Sequence, residues 1–257
     1  MLTSVVTGAS SGIGAELSLN LLKNGYKVVM ISRSYNKMKE IIPKEYMDNT
    51  HVIKCDLTND LDCLNACNNA NEYLDNKLDL LVNNAGGSII NTTLSNTDID
   101  TWNWHFKLNV TSTFLLSKYF TPSLANAKGN IVNISSIASH KPFIQQMPYC
   151  VSKAALDQLT QCMAIELGNQ GIRVNGIRPS TLKTNFRLNA GASMDEANKF
   201  YNHPGWKDLH LNINSVGTTQ NVIDLIMFLA DNNKASWITG QNIDIDGGFT
   251  LQTPKLK

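Results

Sequence analysis

Thr7-Gly-Ala-Ser-Ser-Gly-Ile-Gly14 follows the short apolar run Ser4-Val-Val-Thr7 and leads straight into a segment of helical period. Gly8, Gly12 and Gly14 permit a tight turn and let backbone N–H groups come close to an anion. A helix opening near Gly12 adds the positive end of its dipole, so the stretch suits a dinucleotide pyrophosphate, with Ser10, Ser11 and Ile13 beside it. The spacing is G-x-x-x-G-x-G rather than the commoner G-x-G-x-x-G. A glycine turn alone carries little weight. Between a strand and a helix it specifies the phosphate-binding unit of an α/β fold.

Outward from that unit, short runs rich in Val and Ile alternate with longer helical segments. Strands are expected at Ser4–Thr7, Lys27–Ile31, His51–Cys55, Leu78–Val82, Asn130–Ile134, Arg173–Ile177 and Asn242–Ile245. They are apolar without clean alternation, as in parallel sheets covered on both faces. The clearest helix runs from Tyr149 to Leu167, with Leu156, Leu159, Met163 and Leu167 in one stripe. The expected fold is α/β, a single doubly wound parallel β-sheet of about seven strands with helices on both faces. At 257 residues the chain suits one domain over 1–257. Residues 180–217 break the rhythm and are expected to form a substrate lid over the sheet's carboxyl edge. Ser193 and Glu196 have capping-box spacing there, predicting a short helix before Phe200 and Tyr201.

Composition narrows the function classes. Lys and Arg number 22 against 21 Asp and Glu, so neither nucleic acid nor an anionic membrane is an expected partner. The densest basic cluster, Lys37 and Lys39 near Lys44, is expected to be a solvated face. Apolar runs are far shorter than the ~18 residues a membrane helix needs. Five cysteines, an odd count, fit no disulfide framework, and Cys63 and Cys67 are expected to pack in a helix. The histidines lack metal-ligand spacing, so no metal site is expected. A strand begins almost at Met1, and a sequon at Asn133 falls inside an apolar strand; a cytoplasmic protein is expected.

The second strand ends in Ser32-Arg33, where dinucleotide folds that choose NAD place an acid for the ribose 2′-OH. A carboxylate would repel a 2′-phosphate, whereas arginine binds one through a charge-assisted fork, so NADP(H) is preferred and NAD(H) is the alternative cofactor. Asp56, followed by Leu57 after the third strand, is placed to accept from an adenine amine or to cap a helix near Thr58. Tyr149 and Lys153 stand four apart and share a helix face, while Ser136 closes the fifth strand. Stabilising a phenolate of pKa ~10 by three units costs about 4 kcal/mol. An ammonium some 4 Å away supplies about that much at an effective dielectric of ~20. One lysine is enough in principle to prime a tyrosine for proton transfer.

The glycine turn, Asn83-Asn-Ala-Gly86, Ser136…Tyr149-x-x-x-Lys153, Arg178-Pro179 and Asp246-Gly-Gly248 together resemble a classical short-chain dehydrogenase/reductase, from about Ser4 to Gly248. The resemblance implies a Rossmann-type fold and an NAD(P)-dependent oxidoreductase that interconverts a carbonyl and a secondary alcohol. Tyr149 would give or take the proton, Ser136 would position the substrate oxygen, and Lys153 would bind the nicotinamide ribose and lower the tyrosine pKa. Asn109 matches the asparagine of a water-linked relay. Asn83, Ala85 and Gly86 are implied to stabilise the sheet and to let the cofactor pass, with Pro179 and Thr184 beside the nicotinamide. Ser180 stands where the family usually has glycine, and Ser11 where some NADP-preferring members carry a basic residue. The expected substrate pocket comprises Ser88, Ser136, Ala138, Gln146, Tyr149 and Ser180, with Gly87, Gln145, Phe186, Tyr201 and Trp206 nearby. A small or medium carbonyl/alcohol compound is the expected partner, with no basic residue reserved for an anionic substrate group. A homodimer or homotetramer is implied by the family alone, and a catalytically inactive NADP(H)-binding sensor or scaffold of the same fold is the alternative function.

Overall fold

A computed structural model describes residues 1–211 and 216–252. The first half contains β1 (Thr3–Thr7), α1 (Gly12–Lys23), β2 (Lys27–Ser32), α2 (Tyr35–Ile41), β3 (Thr50–Lys54) and α3 (Asp60–Tyr73). There follow β4 (Leu80–Asn83), α4 (Ile99–Phe106), α5 (Ser112–Ala127), β5 (Asn130–Ile134), α6 (Met147–Leu167) and β6 (Arg173–Pro179). Beyond β6 lie α7 (Phe186–Asn189), α8 (Met194–Tyr201), α9 (Trp206–Leu209), α10 (Thr219–Ala230), α11 (Asn232–Ala235) and β7 (Asn242–Ile245).

All seven strands pair in parallel, in the order β3-β2-β1-β4-β5-β6-β7. This is the expected Rossmann-type α/β fold. Alternate strand residues feed opposite layers. Val5, Val29, Leu81, Ile131 and Val174 pack with Cys63 and Cys67 of α3, Phe120 of α5 and Met163 of α6. Val6, Val28, Val82, Val132 and Ile177 face Leu17 and Leu21 of α1, Met38 of α2 and Ile226 of α10. Burial on both faces explains why the strands read as apolar runs without alternation. Strand order reverses direction between β1 and β4, which opens a crevice at their carboxyl ends.

Strand boundaries shift where pairing overrides composition. β4 starts at Leu80, opposite Ser4, because the Leu78 N–H donates at 3.0 Å to Ser123 of α5 instead of a strand. β3 starts one residue early, with Thr50 opposite Val28. β6 extends to Pro179 because Arg178 and Pro179 still pair with Asp244 and Ile245. The capping box at Ser193 and Glu196 forms as expected and opens α8. Part of the excursion expected at 180–217, residues 212–215, lies outside the described residues.

Gly14 shows why the turn is glycine-rich. A Cβ there would lie 2.5 Å from both the Gly8 carbonyl oxygen and Asn84 Nδ2. Backbone cannot retreat as a side-chain tip can, so Gly14→Ala is expected to cost roughly 1–3 kcal/mol by overpacking. Thermal denaturation should show a lower Tm, and nucleotide should restore less of it than in the parent. An unchanged Tm would mean that the turn relaxes around a methyl group.

Candidate active site

A cleft of about 560 Å3, within the usual range for small-molecule sites, runs along the carboxyl edge of the sheet. Gly8, Ser32, Cys55, Ala85, Ser135 and Pro179, at or just beyond the ends of β1 to β6, all line it. So do Ser10, Ser11, Gly12, Ile13, Arg33, Asp56, Leu57, Gly86, Tyr149, Lys153 and Thr184 of the expected cofactor set. Ser88, Ser136, Ala138, Gln146 and Ser180 of the expected substrate set line it as well. Gly14 does not reach the cleft; it packs behind the turn. Asn83 does not either. Its amide donates to Asn133 Oδ1 at 2.9 Å and Ser117 Oγ at 3.2 Å, tying β4 to β5 and α5 inside the core.

At one end the backbone turns through left-handed glycines, Gly8 at φ +66° and Gly12 at φ +54°. Ser32 Oγ donates to Ser10 Oγ at 2.9 Å and accepts the Ser34 N–H at 3.0 Å, which orders the loop carrying Arg33. Arg33 is exposed at the cleft, and Lys37 of α2 lines the same wall. Lys37 is exposed, as expected of a solvated face, and also borders the cleft. Its spacing of four from Arg33 was the signal, obscured because the loop geometry before α2 sets which side it faces. Asp56 accepts from Thr58 N at 3.0 Å and Thr58 Oγ1 at 2.8 Å. Burial would raise its carboxyl, but these bonds and the Arg33 charge outweigh burial and hold it below the ordinary value. It does not cap α3. Asn59 does, accepting from Leu61 N at 3.0 Å and Asp62 N at 3.1 Å.

At the other end Tyr149 and Lys153 project from one face of α6 and are both buried. Burial pushes the Tyr149 phenol up to about 12, with a hydrogen bond from Ser136 pulling the other way. Burial likewise lowers Lys153 to about 8 against the opposing charge of Asp157. Lys153 Nζ donates to the Ile134 carbonyl at 2.8 Å and sits 5.8 Å from the Tyr149 ring centre. Burial, rather than the Lys153 charge, therefore sets the protonation of the Tyr149 phenol here. At neutral pH the arrangement holds a protonated phenol beside an ammonium. That is a proton donor with an adjacent charge.

Asn109 is fully buried on a π-helical turn, Lys107–Thr111, between α4 and α5. Single π turns concentrate at functional sites because they re-aim backbone groups. Its Oδ1 accepts from Gly87 N at 2.9 Å; its Nδ2 donates to Gly87 O at 3.0 Å and Ser152 Oγ at 2.9 Å. Ser152 Oγ in turn donates to the Tyr149 carbonyl at 2.8 Å. A Cβ on Gly86 would meet Lys153 Nζ at 3.1 Å and Asn109 Oδ1 at 3.2 Å, so these two groups lie together beneath Gly86.

The segment after β6 supplies the remaining wall. Phe186, Arg187, Phe200, Tyr201 and Trp206 line the cleft, and Phe186 sits 5.8 Å from Tyr149 between ring centres. Ser180 is held by His210: Nδ1 faces the Trp206 carbonyl at 3.1 Å and Nε2 faces Ser180 Oγ at 3.4 Å. A carbonyl only accepts, so Nδ1 carries the proton and the serine hydroxyl donates to Nε2. Gln145 faces solvent outside the cleft, its carbonyl accepting from Thr92 N. Trp104, Phe143, His210 and Arg187 escaped the sequence reading because they lie in loops or in helices of one or two turns, too short for periodicity to show which side faces the cleft. Among the described residues no cluster has metal-ligand geometry and no helix is long and apolar enough to cross a membrane.

Residues 3–195 match the family model described as short chain dehydrogenase. The L-xylulose reductase of Caenorhabditis elegans is 32% identical over 262 residues, covering 96% of this chain and 94% of that protein. The 7alpha-hydroxysteroid dehydrogenase of Paraclostridium sordellii is 31% identical, covering 98% and 93%. A C. elegans short-chain dehydrogenase/reductase solved with cofactor superposes with a TM-score of 0.91 at 31% identity, covering 98% of this chain and 96% of that one. NADP-bound ElxO gives 0.85 at 30% identity, covering 98% and 99%. The chain belongs to the short-chain dehydrogenase/reductase family. It is an NAD(P)-dependent oxidoreductase acting on carbonyl/alcohol substrates.

Proposed function

We propose that this chain is one NADP(H)-dependent oxidoreductase domain that interconverts a ketone and a secondary alcohol, with Tyr149 as the proton donor and acceptor and the segment 180–217 as its substrate lid. The observation that carries this reading is the polarity of the cleft. Ser136, Tyr149 and Lys153 stand at one end, and Arg33 with Lys37 stands at the other, separated by the glycine turn. A dinucleotide is supported by the glycine turn and the small Ala85 and Gly86 lining the same cleft; a methyl at Gly86 would crowd Lys153 Nζ and Asn109 Oδ1 at 3.1 and 3.2 Å. NADPH, when bound, supplies the hydride. Arg33 and Lys37 would hold its 2′-phosphate, Gly8 to Gly12 its pyrophosphate and Lys153 its nicotinamide ribose.

Each protein group has a task. Ser136 Oγ donates to the substrate oxygen and orients it, and Tyr149 Oη delivers the proton as the carbonyl becomes an alcohol. Asn109 acts on the relay by fixing Gly87 and, through Ser152, the first turn of α6. Phe114, Val151 and Ile165, exposed on α5 and α6, support a homo-oligomer formed through these helices.

A substrate panel run in parallel with NADPH and NADH tests the assignment, and pH resolves the roles. Tyr149, at about 12, stays protonated across the working range, so proton supply does not limit reduction. Lys153 loses its charge as pH rises through about 8. Consequently kcat/KM for NADPH, which reports the free enzyme, is expected to be flat at neutral pH and to fall above about 8. Alcohol oxidation needs the phenolate, so it should be slow at neutral pH and gain with pH toward about 12 rather than level off near 8. Lys153→Arg, which keeps its charge, should move the alkaline limb upward. A panel without NADPH oxidation, or an alkaline limb that ignores Lys153→Arg, would remove this reading.

A further inference from the structure

Arg187 is a cation on the lid side of the cleft that the proposed reaction does not use. It is the second residue of α7, next to Phe186, whose ring sits 5.8 Å from that of Tyr149. Its guanidinium carbon lies 3.8 Å from the centre of the Phe200 ring, so the cation rests against that ring. Its Nε is buried with no hydrogen-bond partner among the described residues. A guanidinium donor buried and unpaired is costly, and such a cost is recovered when a ligand supplies an acceptor.

The surrounding charges leave that role open. Among the described residues no carboxylate forms an ion pair with Arg187. Glu196, the acid nearby enough to feel Arg187, is occupied at 2.8 Å by both Ser193 N and Ser193 Oγ. Among the described residues Asp56 is the only acid lining the cleft, and it stands beside Arg33 at the opposite end. Ser88 and Gln146 are neutral, and Ser88 Oγ is likewise buried without a partner. Among the described residues no other Lys or Arg of the segment after β6 lines the cleft, and a single planar fork there matches a monoanionic carboxylate better than a phosphate dianion.

We infer that Arg187 recognises a carboxylate on the substrate, so that the ketone or alcohol processed at Tyr149 is an oxo- or hydroxycarboxylic acid. This rests on the oxidoreductase reading above and adds a substrate class to it. The expectation that no basic residue is available for an anionic substrate group is corrected by the fold of α7, which turns Arg187 inward against Phe200.

The test uses 4-oxopentanoate and 6-oxoheptanoate with their methyl esters, on the parent protein, Arg187→Met and Arg187→Lys. The parent should prefer an acid over its ester. Arg187→Met should lower the acid-to-ester ratio of kcat/KM roughly 10- to 100-fold, chiefly through KM, because one charge-assisted contact is lost. Arg187→Lys should recover part of it. NADPH affinity, measured by fluorescence titration, should stay within a few-fold in all three. Equal use of acids and esters by the parent would overturn the inference, as would Arg187→Met weakening NADPH with the ratio intact, which would assign the fork to a cofactor phosphate. If no ketone is reduced, the oxidoreductase reading fails on its own. Calorimetry of 6-oxoheptanoate on the NADP+-loaded protein then decides the anion site: binding lost in Arg187→Met sustains it, and equal or absent binding overturns it.

Discussion

Tyr149→Phe is expected to lower turnover about a thousandfold, the mid-range for a positioned general acid, while NADPH binds within a few-fold of the parent. The change deletes one oxygen and keeps the ring, which packs with Ala138, Cys150 and Phe143. Only the bond with Ser136 is lost, so stability should fall by about 1 kcal/mol, the net worth of one hydrogen bond. Single-turnover hydride transfer and an NADPH titration separate chemistry from binding. The nearest competing acid is Lys153, which at about 8 is largely protonated at neutral pH. If Lys153 were the donor, Tyr149→Phe would retain turnover within tenfold and Lys153→Met would abolish it. That result would reverse the roles assigned to the pair.

The residues that were legible in the sequence are those whose local spacing is also their spatial relation. Gly8 to Gly14 occupy one strand–helix turn, and Tyr149 with Lys153 one helix face, so sequence distance alone fixed their proximity. Ser136 followed from standing at the end of an apolar strand, two residues past Ile134. The limit appears where a position depends on packing from elsewhere. Asn83 was implied both to stabilise the sheet and to let the cofactor pass; its amide ties β4 to Asn133 and Ser117, the first of these roles, and it does not line the cleft because strand pleat turns it into the core. The Lys153 charge was credited with priming Tyr149, but burial of the phenol, which spacing along a helix does not reveal, dominates and pushes it up to about 12. Arg187 and His210 gave no signal because α7, which carries Arg187, and α9, which His210 follows, are single turns too short for any periodicity to show which side faces the cleft.

Arg33→Ala combined with Lys37→Ala is expected to raise KM for NADPH roughly 100-fold while changing KM for NADH by less than about threefold. Hydrogen bonds to charged groups contribute about 1.5–3 kcal/mol each, and solvent exposure at this end of the cleft places both residues at the lower limit. The effect is selective because the 2′-phosphate is the only feature that distinguishes the two nucleotides there. Each single variant should lose part of the discrimination, since Arg33 offers a fork and Lys37 a point charge. Salt provides an independent check: the NADPH preference of the parent should shrink as ionic strength rises, and that of the double variant should not. Arg33→Asp goes further, because a carboxylate there repels the phosphate and accepts from the ribose hydroxyl, turning the preference toward NADH. Equal losses for both nucleotides would mean that Arg33 and Lys37 support the turn itself. Ser32, whose hydroxyl already bridges Ser10 and Ser34, would then be the residue through which that support passes.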